Sequence, residues 1–259
     1  MVKLAANLTM MFNEVGSLDR FKAAADAGFT AVEYLFPYDF EPDDIAERLR
    51  ANGLEQALFN APPGDWASGE RGLAAIPGRQ AEFRQSIAQV FPYAEATGVE
   101  RVHVMAGLSA GDLVAARQTF RDNIAWAAEQ FDTHGLKLLI EPINTRDMPG
   151  YFLDEFALAV ALIDEIGAAN VRLQFDIYHR QILHGDVTVA LETLMPIIDH
   201  IQIAGVPERH EPDSGELDYA HVFATLDRLG YDGWVGCEYR PRAGTVEGLG
   251  WRKRLLATH

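Results

Sequence analysis

The sequence predicts a single (β/α)8 barrel domain that spans residues 1–259. Eight short apolar or β-branched runs alternate with longer segments of helical periodicity, which is typical of a parallel sheet covered by helices. The length of 259 residues suits one such domain, since barrels of this kind have roughly 250 residues. In addition, polar residues stand at the ends of the last four runs, where barrel enzymes place their active sites. A doubly wound open sheet is the alternative fold.

Each predicted strand is followed by an amphipathic segment that predicts a helix. Asp112 and Asp186 directly follow glycines and are predicted N-caps, while Gly98 and Gly167 stand where helix C-caps belong. The predicted strands, in order, are 3–9, 31–36, 54–60, 101–106, 137–142, 171–176, 200–204 and 234–239. The predicted helices are 17–27, 42–52, 79–97, 112–133, 152–166, 186–196, 218–229 and 247–256.

The composition excludes several classes of protein. Lys and Arg number 22 against 38 Asp and Glu, and the net charge of −16 opposes binding to nucleic acid, which depends on neutralising phosphates. The single cysteine, Cys237, excludes an internal disulfide and a cysteine-based zinc cluster. No apolar run approaches the ~18 residues that cross a bilayer, and the N-terminus does not resemble a signal peptide. We therefore expect a cytoplasmic protein that binds neither nucleic acid nor membrane.

Four oxygen-bearing side chains recur near the ends of the last four predicted strands. Because the carboxyl ends of parallel strands meet at one rim of the barrel, we expect these side chains to converge there if they point inward. They are Glu141, Asp176, Gln202 and Glu238, on predicted strands 5, 6, 7 and 8.

Three carboxylates cannot be ionised together in a buried pocket without a compensating charge. A divalent cation would supply that charge, and ligands that are all oxygen atoms favour Mg²⁺ or Mn²⁺ over Zn²⁺. The alternative is that each residue forms its own ion pair with a neighbouring Arg or Lys. His179, three residues beyond Asp176, is expected on the loop that leaves strand 6, where it can contact substrate or water.

Two carboxylates on opposite sides of a substrate can remove a proton from one carbon and return it to the next. Glu141 and Glu238 lie on strands 5 and 8 and suit this role, with a metal that polarises the substrate oxygens and stabilises an enediolate. The same constellation is compatible with a hydrolase in which a carboxylate activates a metal-bound water. The spacing alone does not decide between the two reactions.

Two long connections, 61–78 and 205–217, leave the carboxyl ends of strands 3 and 7. Long loops in compact domains are usually lids or binding elements, although loops also lengthen by drift. An anionic substrate would need a cation at this acidic site, and the candidates are Arg71, Arg209 and Arg240; the alternative is that each is a solvated surface arginine. Trp66 either closes over the substrate or fixes the loop to the barrel.

Blocks along almost the whole chain resemble the hydroxypyruvate isomerase family of the xylose-isomerase-like barrels. The blocks include ANLTMMF at 6–12, VEYLFPY at 32–38, GDWASGERG at 64–72, IEPIN at 140–144, FDIYH at 175–179 and GCEY at 236–239. The resemblance implies reversible conversion of hydroxypyruvate to tartronate semialdehyde. It also implies that Glu141 and Glu238 exchange the proton, and that these two residues hold a divalent metal together with Asp176 and Gln202. Related sugar epimerases carry a histidine in place of Gln202.

The resemblance leaves two substrates open, both small anionic hydroxy-oxo acids. The segment AGVPERHEPD at 204–213 is more similar to relatives that isomerise 2-oxo-tetronates. The segments 141–144 and 176–179 are more similar to hydroxypyruvate isomerase itself, and because they carry the metal site they favour hydroxypyruvate. A metal-dependent phosphodiesterase is a remote alternative, since the barrel also resembles that of an apurinic endonuclease. The sequence does not predict the oligomeric state.

Overall fold

A computed structural model describes residues 2–109 and 111–256, and its eight strands form a closed parallel barrel in the order β1 to β8. This confirms the predicted fold class. The strands are β1 Lys3–Asn7, β2 Ala31–Tyr34, β3 Glu55–Asn60, β4 Arg101–His103, β5 Lys137–Ile140, β6 Val171–Asp176, β7 Ile198–Ile203 and β8 Trp234–Cys237.

Helices follow the strands as the periodicity predicts, with three differences. The segment 79–97 forms two helices that meet at Gln89, because the ring of Pro92 cannot fit against the carbonyl of Ala88 in one continuous helix. The last predicted helix is also divided in two, and an additional short helix follows β6. The helices are α1 Arg20–Asp26, α2 Pro42–Asn52, α3 Gln80–Ala88, α4 Val90–Thr97, α5 Leu113–Asp132, α6 Phe156–Ile166, α7 Ile177–Leu183, α8 Val187–Leu194, α9 Tyr219–Arg228, α10 Thr245–Gly248 and α11 Gly250–Leu256.

The helix caps follow the predicted chemistry. The Asp112 side chain accepts hydrogen bonds from the backbone N–H groups of Val114 and Ala115 at the start of α5. Gly98 and Gly167 adopt left-handed conformations at the ends of α4 and α6, as glycine C-caps do. Asp186 precedes α8, but its side chain makes no capping hydrogen bond.

The chain forms two compact units. The first unit contains residues up to 34, 44–57 and those from 175 onward; the second contains 35–43 and 58–174. None of the described helices is long and apolar enough to span a membrane.

In the first unit, the strand register brings particular polar positions side by side. Asn7 on β1 is the direct partner of Glu33 on β2, and Gln202 on β7 is the partner of Gly236 on β8. Gly236 is also paired with Ala5 on β1. The register therefore sets a polar layer from β1, β2 and β7 beside a strand position that has no side chain.

Candidate active site

The four predicted ligands lie where the sequence predicts, at or near the carboxyl ends of their strands. Asp176 is the last residue of β6 and Gln202 lies near the end of β7. Glu238 directly follows β8, and Glu141 directly follows β5. All four side chains are buried although all four are polar. Buried polar groups need partners, and those partners define the chemistry of the site.

Asp176 acts as both a strand terminus and a helix N-cap. Its Oδ1 accepts a hydrogen bond of 2.8 Å from the backbone N–H of Tyr178 at the start of α7. Its Oδ2 lies 3.4 Å from Nε2 of His179, which is buried within the same helix. The expectation that His179 lies on a loop is therefore wrong, because the cap formed by Asp176 starts a helix immediately after the strand.

Arg209 is buried between carboxylates in the first unit. Its Nη2 donates to Oε2 of Glu238 and lies 3.4 Å from Oδ2 of Asp176. The guanidinium also stacks on the ring of Tyr178, with its central carbon 4.8 Å from the ring centroid. The interpretation of Arg209 as a solvated surface arginine is thus wrong. A single cationic nitrogen touches two buried carboxylates, so this position favours a positive charge.

Burial raises the pKa of Glu238 to about 8 from its ordinary value of 4.5. Arg209 lowers the pKa of this carboxyl, but the negative charges of Asp176 and Glu33 raise it, and burial outweighs the arginine. Burial therefore favours the protonated form of Glu238 in the metal-free protein. A carboxyl group with a pKa near the operating pH is suited to both donating and accepting a proton.

Glu141 belongs to the second unit, where its Oε2 lies 3.5 Å from Nδ1 of the buried His103. Glu141, Asp176 and His179 are all buried, and each carries an atom that can bind a metal ion. Carboxylate oxygens and an imidazole nitrogen are common ligands of divalent metals. His179 is thus a candidate ligand, whereas the sequence predicts only a contact with substrate or water.

A layer of polar residues that the sequence analysis missed lies behind Glu238. Glu33 accepts hydrogen bonds from Nδ2 of Asn7 at 2.9 Å and from Nε2 of Gln202 at 2.8 Å. Its other carboxylate oxygen lies 2.6 Å from Nε2 of His200. Nδ2 of Asn7 also reaches Oε1 of Glu238 at 3.4 Å, so this layer is connected to the site.

A signal for this layer exists in the sequence. Glu33 is the only charged residue in the apolar run AVEYLF, so a glutamate in that strand needs a buried partner. Period 2 also puts His200 on the same face as Gln202. Neither observation reveals the pairing itself, because Glu33 and His200 are 167 residues apart in the chain.

In the second unit, the first long loop builds a platform around Arg71. The central guanidinium carbon lies 3.8 Å from the centroid of the Trp66 ring, and Nη1 donates to the backbone oxygens of Trp66 and Glu70. Trp66 packs edge-on against Phe36 with ring centroids 5.1 Å apart. Gly72 approaches the backbone at the end of β4 so closely that a Cβ would lie 2.3 Å from the Met105 oxygen. The loop is thus fixed to the rim, and Arg71 has no carboxylate partner among the described residues.

The sequence matches one family model and named relatives over almost the whole chain. The family model described as "Xylose isomerase-like TIM barrel" matches residues 21–255. A 2-oxo-tetronate isomerase from Cupriavidus necator is 58% identical over 258 residues, which cover 99% of both chains. The hydroxypyruvate isomerase of Escherichia coli is 41% identical, covering 97% of this chain and 98% of that protein.

A solved structure is also very similar. The crystal structure described as AP endonuclease, family 2, from Brucella melitensis superimposes with a TM-score of 0.96 and 50% sequence identity. The match covers 98% of this chain and 99% of that one.

Proposed function

Because the chain belongs to the xylose isomerase-like TIM barrel family, we propose that it is a ketol isomerase acting on a short hydroxy-oxo carboxylate. The observation that carries this proposal is the position of Glu238, a buried carboxyl group that directly follows β8 and accepts a hydrogen bond from Arg209. The full-length relatives named as 2-oxo-tetronate and hydroxypyruvate isomerases support the same class of reaction.

We propose 2-oxo-tetronate as the preferred substrate, with hydroxypyruvate as the second candidate. Relatives named 2-oxo-tetronate isomerase are 58% and 48% identical, against 41% for the hydroxypyruvate isomerase of Escherichia coli. The segment at 204–213 favours the same substrate, although the segments at 141–144 and 176–179 favour hydroxypyruvate. In both acids the oxo group at C2 and the hydroxyl at C3 exchange oxidation levels, so one set of residues serves either substrate.

The donor set fits a divalent metal held by Glu141, Asp176, Gln202 and Glu238, with His179 as a further candidate. The burial of all four side chains supports the fit, because three of them are carboxyl groups and buried carboxylates need a compensating positive charge. The predominance of oxygen donors favours Mg²⁺ or Mn²⁺. When bound, such an ion would polarise the two substrate oxygens and neutralise the charge that develops on them.

The protein residues then move the proton. Of Glu141 and Glu238, the one that is ionised removes the proton from C3, the carbon bearing the hydroxyl, and the protonated one delivers a proton to C2, the former carbonyl carbon. The hydroxyl proton passes from the oxygen on C3 to the oxygen on C2, so C3 becomes the carbonyl and C2 bears the hydroxyl. Arg71 and Arg209 are proposed to bind the substrate carboxylate, since a guanidinium can bind a carboxylate through two parallel hydrogen bonds. Trp66 is proposed to shield the substrate from water.

The test combines metal removal with parallel kinetics. The purified protein is treated with EDTA, reconstituted with Mg²⁺ or Mn²⁺, and assayed on 2-oxo-tetronate and on hydroxypyruvate. We expect activity to disappear with EDTA, to return with either metal, and to show a higher kcat/KM for 2-oxo-tetronate. A higher value for hydroxypyruvate would reverse the substrate assignment, and absence of turnover on both acids would overturn the proposed reaction.

The description of the Brucella structure as an endonuclease makes phosphodiester cleavage the second candidate function. The net charge of −16 opposes it, because a nucleic acid would be repelled from so acidic a protein. The same metal-reconstituted protein should therefore leave DNA with an abasic site uncut. Cleavage that depends on the added metal would favour the endonuclease instead.

A further inference from the structure

We propose that Glu33 is a positioning residue, which turns the side-chain amide of Gln202 so that its carbonyl oxygen faces the metal site. This inference rests on the proposed function, because it takes Gln202 as a metal ligand. Glu33 is completely buried and so does not touch substrate. Its effect is exerted through the residues that it contacts.

Three donors converge on the carboxylate of Glu33. Oε1 accepts from Nε2 of Gln202 at 2.8 Å and from Nδ2 of Asn7 at 2.9 Å. Oε2 lies 2.6 Å from Nε2 of His200, whose Nδ1 has no hydrogen-bond partner among the described residues. Because a carboxylate only accepts hydrogen bonds, Nε2 of His200 is the donor in this contact. Every neighbour of the carboxylate presents an N–H group to it.

The chemistry of a carboxylate explains why this determines the orientation of Gln202. A carboxylate only accepts hydrogen bonds, so the amide of Gln202 must present its NH₂ group to Glu33. Its carbonyl oxygen then points away from Glu33, and only this oxygen can bind a metal cation. An amide turned by 180° would present NH₂ to the cation instead and would lose a ligand.

Asn7 is oriented by the same principle. Its Nδ2 donates to Glu33, while its Oδ1 accepts from the backbone N–H groups of Thr9 and Met10 at 3.1 and 3.2 Å. Because both ends of this amide are held, its NH₂ group can also reach Oε1 of Glu238 at 3.4 Å. Glu33 thus contacts Gln202 directly and shares the donor Asn7 with Glu238.

The barrel makes room for Glu33 at one position of β8. A Cβ atom on Gly236 would lie 2.2 Å from Oε2 of Glu33, so a larger residue there would collide with the carboxylate. Gly236 is the direct strand partner of Gln202. The space above this glycine allows a side chain from β2 to extend across the barrel interior to β7.

The test measures binding of Mn²⁺ to the apoprotein by isothermal titration calorimetry in Glu33→Gln. A glutamine at this position would place an NH₂ group against the NH₂ group of Gln202, and two donors cannot form a hydrogen bond with each other. The Gln202 amide would have to turn so that its carbonyl oxygen accepts from the new glutamine. We expect the Kd for Mn²⁺ to rise 10- to 100-fold, in line with roughly that loss for partners of metal ligands. The matched control is Glu211→Gln, which removes another buried carboxylate of the same unit, and its Kd should stay within about threefold of the unaltered protein.

A double variant that exchanges the two residue types tests whether Glu33 orients the Gln202 amide or only stabilises the fold. In the double variant Glu33→Gln with Gln202→Glu, a donor and an acceptor again face each other, the total charge is restored, and the ligand has oxygen at both ends. We expect this double variant to bind Mn²⁺ at least tenfold more tightly than Glu33→Gln, at similar thermal stability. If Glu33→Gln fails to fold, Glu33→Asp, which retracts the acceptor by one methylene, should show a smaller rise in Kd.

The outcomes distinguish this inference from the proposed function. Failure of the unaltered protein to bind Mn²⁺ would overturn both. Normal binding by the unaltered protein, together with a Kd within threefold in Glu33→Gln or in Glu33→Asp, would overturn the role of Glu33 alone. A double variant no better than Glu33→Gln would also overturn it.

Discussion

The guanidinium of Arg209 donates to the carboxylate of Glu238 in the interior of the first unit, where both side chains are about nine-tenths buried. This pair is ionic only when Glu238 has lost its proton, which occurs above a pH of about 8 in the metal-free protein. Below that pH, Arg209 faces a neutral carboxyl and the carboxylate of Asp176. We therefore expect the loss of unfolding free energy on replacement of Arg209 to depend on pH.

Arg209→Met is expected to destabilise the metal-free protein more at pH 9 than at pH 6. At pH 9 it leaves a buried carboxylate without its partner, which costs about 3 kcal/mol in unfolding free energy. Urea unfolding in EDTA at the two pH values measures the difference. The exposed neighbour Arg240 provides the control, since Arg240→Met should change the free energy by less than about 0.5 kcal/mol at either pH. An equal loss at both pH values for Arg209→Met would contradict this account.

The raised pKa of Glu238 predicts a pH dependence of stability in the unaltered protein. Between pH 4.5 and about 8, the folded protein retains a proton that the unfolded chain releases. The contribution of Glu238 to the unfolding free energy therefore falls as pH rises from 4.5 to about 8, with a slope approaching about 1.4 kcal/mol per pH unit. Glu238→Gln, which cannot titrate, should show a flatter dependence when both proteins are unfolded by urea in EDTA. Parallel curves for the two proteins would argue against the raised pKa.

Glu141→Gln and Glu238→Gln should each lower kcat by roughly 10² to 10⁴ at saturating Mn²⁺, since each removes a group that we propose to transfer a proton. Steady-state kinetics on 2-oxo-tetronate measures the loss, and circular dichroism verifies the fold. Glu165→Gln, which alters an exposed carboxylate paired with Arg117, should retain full turnover. Near-normal turnover in either site variant would remove that glutamate from the proton transfer.

Arg71→Ala should raise KM about 10- to 100-fold with a smaller effect on kcat, because the variant loses a charged contact with the substrate carboxylate. The second unit offers a matched control in Arg84, which also stacks on a tryptophan, with its guanidinium carbon 5.0 Å from the Trp126 ring centroid. Arg84→Ala should leave KM unchanged. If KM is equal in both variants and the unaltered protein, Arg71 does not bind the substrate.

The barrel could be predicted from the sequence because strands and helices each carry a clear periodicity. The predicted carboxyl ends of several strands differ from the observed ones by two or three residues. The fourth predicted strand continues to Ala106, but β4 ends at His103 because Ala106 instead forms an antiparallel bridge with Gly72 of the long loop. Apolar composition reports burial, and a buried loop residue is not distinguished from a strand residue by this signal.

The sequence predicts those residues of the candidate site that stand at or near the end of a strand. Asp176, Gln202 and Glu238 interrupt apolar runs near the ends of their strands, so their positions follow from the pattern. The helix after Asp176 was missed because it has only seven residues, too few for a helical period to show. Glu33 and Arg209 became visible only with the tertiary contacts, which join strands and loops far apart in sequence.

The close approach of Gly236 to Glu33 means that the residue type at one of these positions limits the residue type at the other. A chain that acquires any side chain at position 236 must at the same time shorten the residue at position 33, because the two would occupy the same volume. If Gln202 is the metal ligand that we propose, a homologue with a different ligand on the seventh strand would not need an acidic residue at 33. The pair of positions 33 and 236 should therefore covary across the family, and glycine should persist at 236 wherever glutamate persists at 33.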